Sequence, residues 1–209
     1  MYNRDYLSNQ STQYTQESSQ AQLMSFLKAT YQLFAGSLLA ATAGAYIGLG
    51  IVSILMGPVK WVLFAVELAL IFFVIPRVKH TPGVNLAVLF AFTFITGLTI
   101  APLLTAIFAM PSGAAIVGQA FLMTSVAFGG ISMFAMTTKR DFSSMGKFLF
   151  IALIIMIVAG ISNIFIQSSM MQLAIASVGA LLFSAFILYD TQNIIKGQDD
   201  SPIEAALAL

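Results

Sequence analysis

Residues 148–166 have the sequence FLFIALIIMIVAGISNIFI, a run without a single charged side chain. A helix that crosses the ~30 Å hydrocarbon core of a bilayer needs about 20 mostly apolar residues, because in lipid every backbone polar group must be paired within its own segment. The run therefore predicts a transmembrane helix. Five other segments meet the same test, at residues 29–56, 59–75, 84–108, 114–136 and 173–195.

The composition of the whole chain agrees with this prediction. Of the 209 residues, 59% are hydrophobic and 8% are charged, whereas about 25% of the residues of an ordinary soluble domain are charged. A net charge of +1 gives no support to a nucleic-acid partner. The chain has no cysteine, which excludes disulfides and thiol catalysis. We therefore predict an integral membrane protein whose first partner is the lipid bilayer.

The connections between the predicted spans are short, so consecutive helices should be antiparallel neighbours in one compact bundle. We predict an all-α fold, a polytopic membrane helix bundle at residues 26–209 that follows a polar, disordered N-terminal tail at residues 1–25. Beyond Pro202 the sequence becomes apolar again at residues 205–209. We interpret this end as the first turn or two of a seventh span that is cut short.

The basic residues predict the orientation of the bundle. Cytosolic loops of membrane proteins carry an excess of Lys and Arg. One predicted face holds Arg4, Lys28, Arg77, Lys79, Lys139, Arg140, Lys147 and Lys196, and the other holds only Lys60. This bias predicts a cytosolic N-terminus. The short tail and loops favour a bacterial inner membrane over an organellar one.

Two carboxylates lie inside predicted spans. An ionisable group there costs on the order of 2.5 to 3.5 kcal/mol, so it needs a partner or a wet cavity. Glu67 precedes Arg77 by ten residues and Asp190 precedes Lys196 by six, which at ~1.5 Å per residue places them about 15 Å and about 9 Å from the same membrane face. At these different depths they should not pair with each other, and Asp190 is better placed to meet Arg77.

Both carboxylates have a structural and a functional interpretation. Asp190 could form an interhelical salt bridge that fixes packing, and Glu67 could stay protonated and bond a neighbouring carbonyl. Alternatively, one or both line an ion path or act as a proton-sensitive latch. The single histidine, His80, is predicted to be a solvated loop residue. The hydroxyls of Thr93, Thr96 and Thr99 are expected to bond their own helix backbone.

Small residues recur every four positions in the first span, at Gly36, Ala40, Gly44 and Gly48. Such a stripe allows another helix to approach closely, which is how helices associate when lipid removes the hydrophobic driving force. The chain shows no zinc-protease motif, nucleophile elbow or phosphate-cradling loop. We therefore predict that it is not an enzyme and uses no cofactor.

Four stretches carry a resemblance to a known family: FTFITGLTIAP at residues 92–102, TKRDFS at 138–143, ISNIF at 161–165 and FILYDTQNII at 186–195. In this order they resemble the Bax inhibitor-1 family, the seven-helix membrane proteins that contain the transmembrane Bax inhibitor motif. The resemblance covers the chain from about Leu27 to its end. It implies a seven-helix bundle, of which six spans are complete here.

The resemblance also implies a function, a pH-sensitive calcium leak through the bundle. In the family a pair of aspartates near the cytosolic face acts as the sensor. One of them matches Asp190, and the other belongs to the seventh helix. The arginine that bonds the pair matches Arg77, although the local spacing also allows Lys79. Glu67 matches a second-helix glutamate of the ion path.

Calcium is then the permeating ion, held weakly and transiently by Asp190 and Glu67. Calcium prefers six to eight oxygens, and the chain offers too few buried carboxylates for tight storage. The alternative function is a non-conducting regulator that binds another membrane protein, for instance a membrane-bound protease. The small-residue stripe and the polar tail are the features that support this alternative.

Overall fold

The computed structural model describes residues 3–78, 81, 83–199 and 201–209, and these residues form helices and turns without a β-strand. Lys79 and His80 lie outside the described residues. Six helical segments are long and apolar enough to cross a membrane: Gln20–Gly50, Val52–Val78, Val84–Phe108, Gly113–Thr137, Ser143–Ile166 and Ser169–Ile195. The predicted all-α, polytopic membrane class with six spans is confirmed.

Helix α1 runs over Asn3–Gly50 and contains the first span. We expected residues 1–25 to be a disordered tail, and the structure differs because it is helical from Asn3 onwards. No proline or glycine occurs before Gly36. Once the apolar span has formed the helix nucleus, extension adds one hydrogen bond for each residue fixed, and nothing in the polar segment interrupts it.

The second span is built from several short pieces. Helix α2 is Val52–Ile54, α3 is Lys60–Ala69 and α4 is Ile75–Val78, and π-helical turns at Leu55–Val59 and Leu70–Val74 join them. We expected the first connection at Gly57-Pro58. The structure bends there, with Gly57 at ψ −157°, and also breaks earlier at Ile51, where φ is −119° and ψ is 23°. Pro58 has no N–H to donate, which explains the bend.

The remaining helices are regular. Helix α5 is Val84–Phe108, α6 is Gly113–Thr137, α7 is Gly146–Ile166, α8 is Ser169–Ile195 and α9 is Pro202–Ala208. In α5 the Thr93, Thr96 and Thr99 hydroxyls donate to the carbonyls of Leu89, Phe92 and Ile95 at 3.0 to 3.1 Å. The expectation that they bond their own helix is confirmed.

Large apolar side chains lie on the outside of the spans. Trp61 is 67% exposed, Phe121 is 73% exposed and Phe165 is 82% exposed. In water such a surface would be strongly unfavourable. In a bilayer it faces acyl chains, so the helices are held together by close packing and by polar contacts.

The chain forms two compact units, Met1–Pro111 with Asp199–Ala208, and Ser112–Gln198 with Leu209. We had expected one bundle. In the first unit α1 packs along α5, and α9 packs against both. A β-carbon at Gly48 would lie 2.5 Å from the β-carbon of Ala101, and one at Gly36 would lie 3.2 Å from the Phe90 ring. The predicted packing role of the stripe is confirmed, and its partner is α5.

In the second unit α6 and α7 both pack against α8. Its buried apolar side chains are Ala135, Leu149, Leu182 and Ile194. Gly146, the first residue of α7, lies against Tyr189 of α8, because a β-carbon there would be 2.5 Å from the tyrosine hydroxyl. This unit therefore places the connection between α6 and α7 beside the last turns of α8.

Candidate functional site

Glu67 is the one buried residue of α3, with only 9% of its surface exposed. Its neighbours on that helix, such as Phe64, Val66 and Leu68, are exposed apolar side chains. Within the described part of the chain, one carboxyl oxygen of Glu67, Oε1, is buried without a hydrogen-bond partner. A lipid-facing helix thus turns its single acid inwards, where the carboxyl keeps an unused acceptor.

The backbone around Glu67 is irregular on both sides. The π-helical turn at Leu55–Val59 precedes its helix and the one at Leu70–Val74 follows it. Single π-helical turns inside helices occur frequently at functional sites. Irregular backbone at membrane depth is tolerated where protein buries it or where it lines a cavity. The second span thus has the backbone features of a segment that lines a cavity.

Arg77 lies in α4, at the end of the same span, and its side chain is exposed. Its Nη1 atom donates a 2.6 Å hydrogen bond to the carbonyl oxygen of Phe73, four residues earlier. That carbonyl lies within the π-helical turn that follows α3. Arg77 thus places a positive charge at the end of the span that contains Glu67.

Asp190 lies in α8 and belongs to the second unit, whereas Glu67 and Arg77 belong to the first. Its side chain is half-buried, and the next two residues, Thr191 and Gln192, are buried. Asp190 therefore does not lie on a fully lipid-exposed face of its helix. Its pairing with Arg77 stays a prediction.

The side chains of Gln192 and Lys196, at the end of α8, bind the connection between α6 and α7, and we call this set of contacts the clasp. Gln192, 4% exposed, donates from Nε2 to the carbonyl oxygen of Arg140 at 2.7 Å and accepts at Oε1 from the N–H of Phe142 at 2.9 Å. One side-chain amide thus satisfies a backbone acceptor and a backbone donor of the loop. A buried amide with both ends paired fixes the position of the segment that it binds.

Lys196 makes a second set of contacts to the same loop. Its ammonium forms an ion pair with Asp141 and donates to the Ser143 hydroxyl oxygen at 2.6 Å. The Ser143 N–H also donates to Asp141 Oδ1 at 2.8 Å. The Lys196 hydrogen bond, followed by the Ser143 N–H, holds the pKa of the Asp141 carboxyl well below its usual range. Asp141 therefore remains charged in mildly acidic solution.

Asp141 and Gln192 lie in two of the stretches that carry the family resemblance, at residues 138–143 and 186–195, but no role was predicted for either. Gln192 is separated from Arg140 by 52 residues and from Phe142 by 50. The available signal was a polar Asp-Thr-Gln sequence inside an apolar span, which indicates a helix face that finds partners within the protein. This signal does not identify the partner residues.

Comparison with known proteins places the chain among a group of membrane proteins. The family model described as inhibitor of apoptosis-promoting Bax1 matches residues 23–209. An uncharacterised protein of Campylobacter jejuni is 50% identical over the whole chain and 90% of its own length. An uncharacterised membrane protein of Vibrio cholerae is 39% identical over 88% of the chain and 81% of its own length. Protein lifeguard 4 of mouse is 38% identical over 66% of the chain and 56% of its own length.

Proposed function

Since this chain belongs to the Bax inhibitor-1 family of membrane proteins, we propose that it is a pH-sensitive cation leak channel through which calcium crosses the membrane. The chain is a multi-pass integral membrane protein. Its ion path includes Glu67, and its pH sensor is built around Asp190 with Arg77 as the partner cation. The N-terminus lies in the cytosol, and the host membrane is a bacterial inner membrane.

The observation that carries the proposal is the environment of Glu67. An acid buried within a membrane span is costly unless it serves a path or finds a partner. Oε1 of Glu67 has no hydrogen-bond donor among the described residues, and π-helical turns flank its helix. A purely structural glutamate would be expected to have both oxygens satisfied. An unused oxygen at mid-span is available to a passing cation.

The sensor role of Asp190 has support of a different kind. The residue matches the family's sensor aspartate and is half-buried near one end of its span. In the family the second carboxyl of the sensor pair belongs to the seventh helix. Two carboxyl groups close together in a low dielectric do not both ionise easily, so they titrate as a coupled pair. Sharing one proton holds two helices together, and losing it pushes them apart.

In this proposal calcium is the permeating ion and not a resident cofactor. Among the described residues, no group of three His, Asp or Glu side chains comes together. Tight calcium sites use six to eight oxygens, several of them from carboxylates. Single carboxyls such as Glu67 and Asp190 match a weak, transient site better, because an ion must leave as readily as it enters.

The alternative, a regulator that docks on another membrane protein such as a protease, loses one of its two supports. One support was the small-residue stripe of the first span. That stripe is covered by α5 of the same chain, where Gly36, Gly44 and Gly48 meet α5 residues. The polar N-terminal segment remains its support. Cross-linking in native membranes, with and without residues 1–19, would test it.

The proposal is tested with purified protein in liposomes that contain a calcium dye, with flux recorded between pH 5 and pH 8. We expect a pH-dependent flux that Glu67→Gln lowers at every pH, and a pH dependence that Asp190→Asn removes. His80→Gln is the matched control, because histidine also titrates in this range. Absence of flux at every pH would refute the channel, and an unchanged pH profile in Asp190→Asn would remove Asp190 from the sensor.

A further inference from the structure

A cavity of about 170 Å³ lies where the connection between α6 and α7 meets the end of α8. Its polar lining comes from the connection and from the end of α8, at Thr138, Lys139, Arg140, Asp141, Gln192 and Lys196. All of these residues belong to the second unit. The cavity holds far more than one water molecule needs. It can therefore admit a small polar group.

The charges of this cavity do not cancel. Lys196 is neutralised by its ion pair with Asp141. Lys139 and Arg140 are exposed, and within the described ranges neither side chain makes an ion pair or a side-chain hydrogen bond. Asp141 keeps its negative charge, so the cavity has two uncompensated positive charges. Such a cavity attracts an anion.

The two cations, Lys139 and Arg140, lie on a loop that hydrogen bonds hold in place. Gln192 holds the Arg140 carbonyl and the Phe142 N–H, and Lys196 holds Asp141 and Ser143. A loop that is already ordered does not lose conformational entropy again when it binds a ligand. The clasp thus holds the loop of the anion site in place before an anion binds. It also accounts for a buried glutamine at a membrane surface.

The position of the cavity indicates which kind of anion it can bind. Helix α6 ends at Thr137 and α8 ends at Ile195, so the cavity lies beside the last turns of two candidate membrane spans. Its wall includes Met136 and Ile195, and Met136 is an exposed apolar side chain on a predicted span. Basic pockets between transmembrane helices bind anionic headgroups. We propose that Lys139 and Arg140 bind the phosphodiester headgroup of an anionic phospholipid whose acyl chains lie along Met136 and Ile195.

Native mass spectrometry of the purified protein in neutral detergent tests this site without any measurement of flux, so it is independent of the channel proposal. The probes are short-chain phosphatidylglycerol, short-chain phosphatidylcholine and inorganic phosphate. Phosphatidylglycerol should bind more tightly than phosphatidylcholine. The double variant Lys139→Gln, Arg140→Gln should weaken phosphatidylglycerol binding about thirtyfold, because each cation at a membrane surface contributes about 1 kcal/mol.

The matched control is Lys28→Gln, Lys147→Gln, which removes two exposed cations of the same predicted membrane face that do not line the cavity. It should leave binding nearly unchanged. Gln192→Leu keeps every charge and frees the loop, so it should weaken binding several-fold. An equal loss in the control would show diffuse attraction and overturn the site. Equal affinity for both lipids, or full displacement by inorganic phosphate, would overturn the assignment to a headgroup. Circular dichroism confirms folding of each variant, and the exposed charge variants keep the test valid if Gln192→Leu unfolds.

Discussion

Gly44 and Phe94 are in direct backbone contact, because a β-carbon at Gly44 would overlap the carbonyl oxygen of Phe94. Gly97 makes the reciprocal contact, where a β-carbon would overlap the carbonyl oxygen of Ala41. Helices α1 and α5 therefore approach each other as closely as their backbones allow. Where lipid removes the hydrophobic driving force, this approach provides the van der Waals contact that holds the pair together.

Gly44→Ala should destabilise the protein by about 1 to 3 kcal/mol, because the added methyl group forces the α1 and α5 backbones apart. Gly118→Ala is the matched control, since no atom lies within 4 Å of the position that its β-carbon would take. Thermal unfolding in detergent should show a lower midpoint for Gly44→Ala alone. Equal midpoints for the two variants would contradict the close contact.

Glu67→Gln should lower calcium flux about tenfold, since a lost attraction of about 1.4 kcal/mol changes an equilibrium by that factor. The amide has nearly the same shape, cannot carry a negative charge and replaces one acceptor oxygen with an NH2 donor. Glu204→Gln in α9 removes a carboxylate from outside the second span and should leave flux close to that of the parent. Flux that falls equally in both variants would indicate a general surface-charge effect.

Asp141→Asn should leave the midpoint of the flux-against-pH curve unchanged. The lowered pKa of Asp141 means that its contribution to stability is present above its unfolded value, about 3.9, and is lost only as the pH falls through its still lower folded value. Between pH 5 and pH 8 its charge is therefore constant. A shifted midpoint in Asp141→Asn, measured by the same dye assay, would assign it to the sensor.

Gln192→Leu should cost about 1 to 3 kcal/mol for each backbone group that stays buried without a partner, here the Arg140 carbonyl and the Phe142 N–H. Hydrogen exchange should then accelerate at the Phe142 amide. Gln172→Leu is the control because its side chain is exposed. Unchanged exchange at Phe142 would show that the clasp does not persist in solution.

Several features of the protein could be predicted from local sequence. The bounds predicted for the third span, 84–108, agree with those of α5. The fourth span differs from α6 by one residue at each end, and the fifth differs from α7 by two residues at its start only. The stripe around Gly44 and the internal bonds of Thr93, Thr96 and Thr99 were also predicted correctly. All of these depend on residues within one helix, where the spacing of 3.6 residues per turn fixes which side chains share a face.

The sequence by itself determined the membrane class, the number of apolar spans and the family, because apolar length and short motifs are properties of contiguous residues. Only the tertiary structure showed that α5 covers the stripe, that Glu67 is the single buried residue of its helix, and that Gln192 binds loop residues 50 and 52 positions away. The physical reason is that a polar group can be satisfied by any partner of the right chemistry. Which partner it meets is decided by the packing of helices that are distant in the chain.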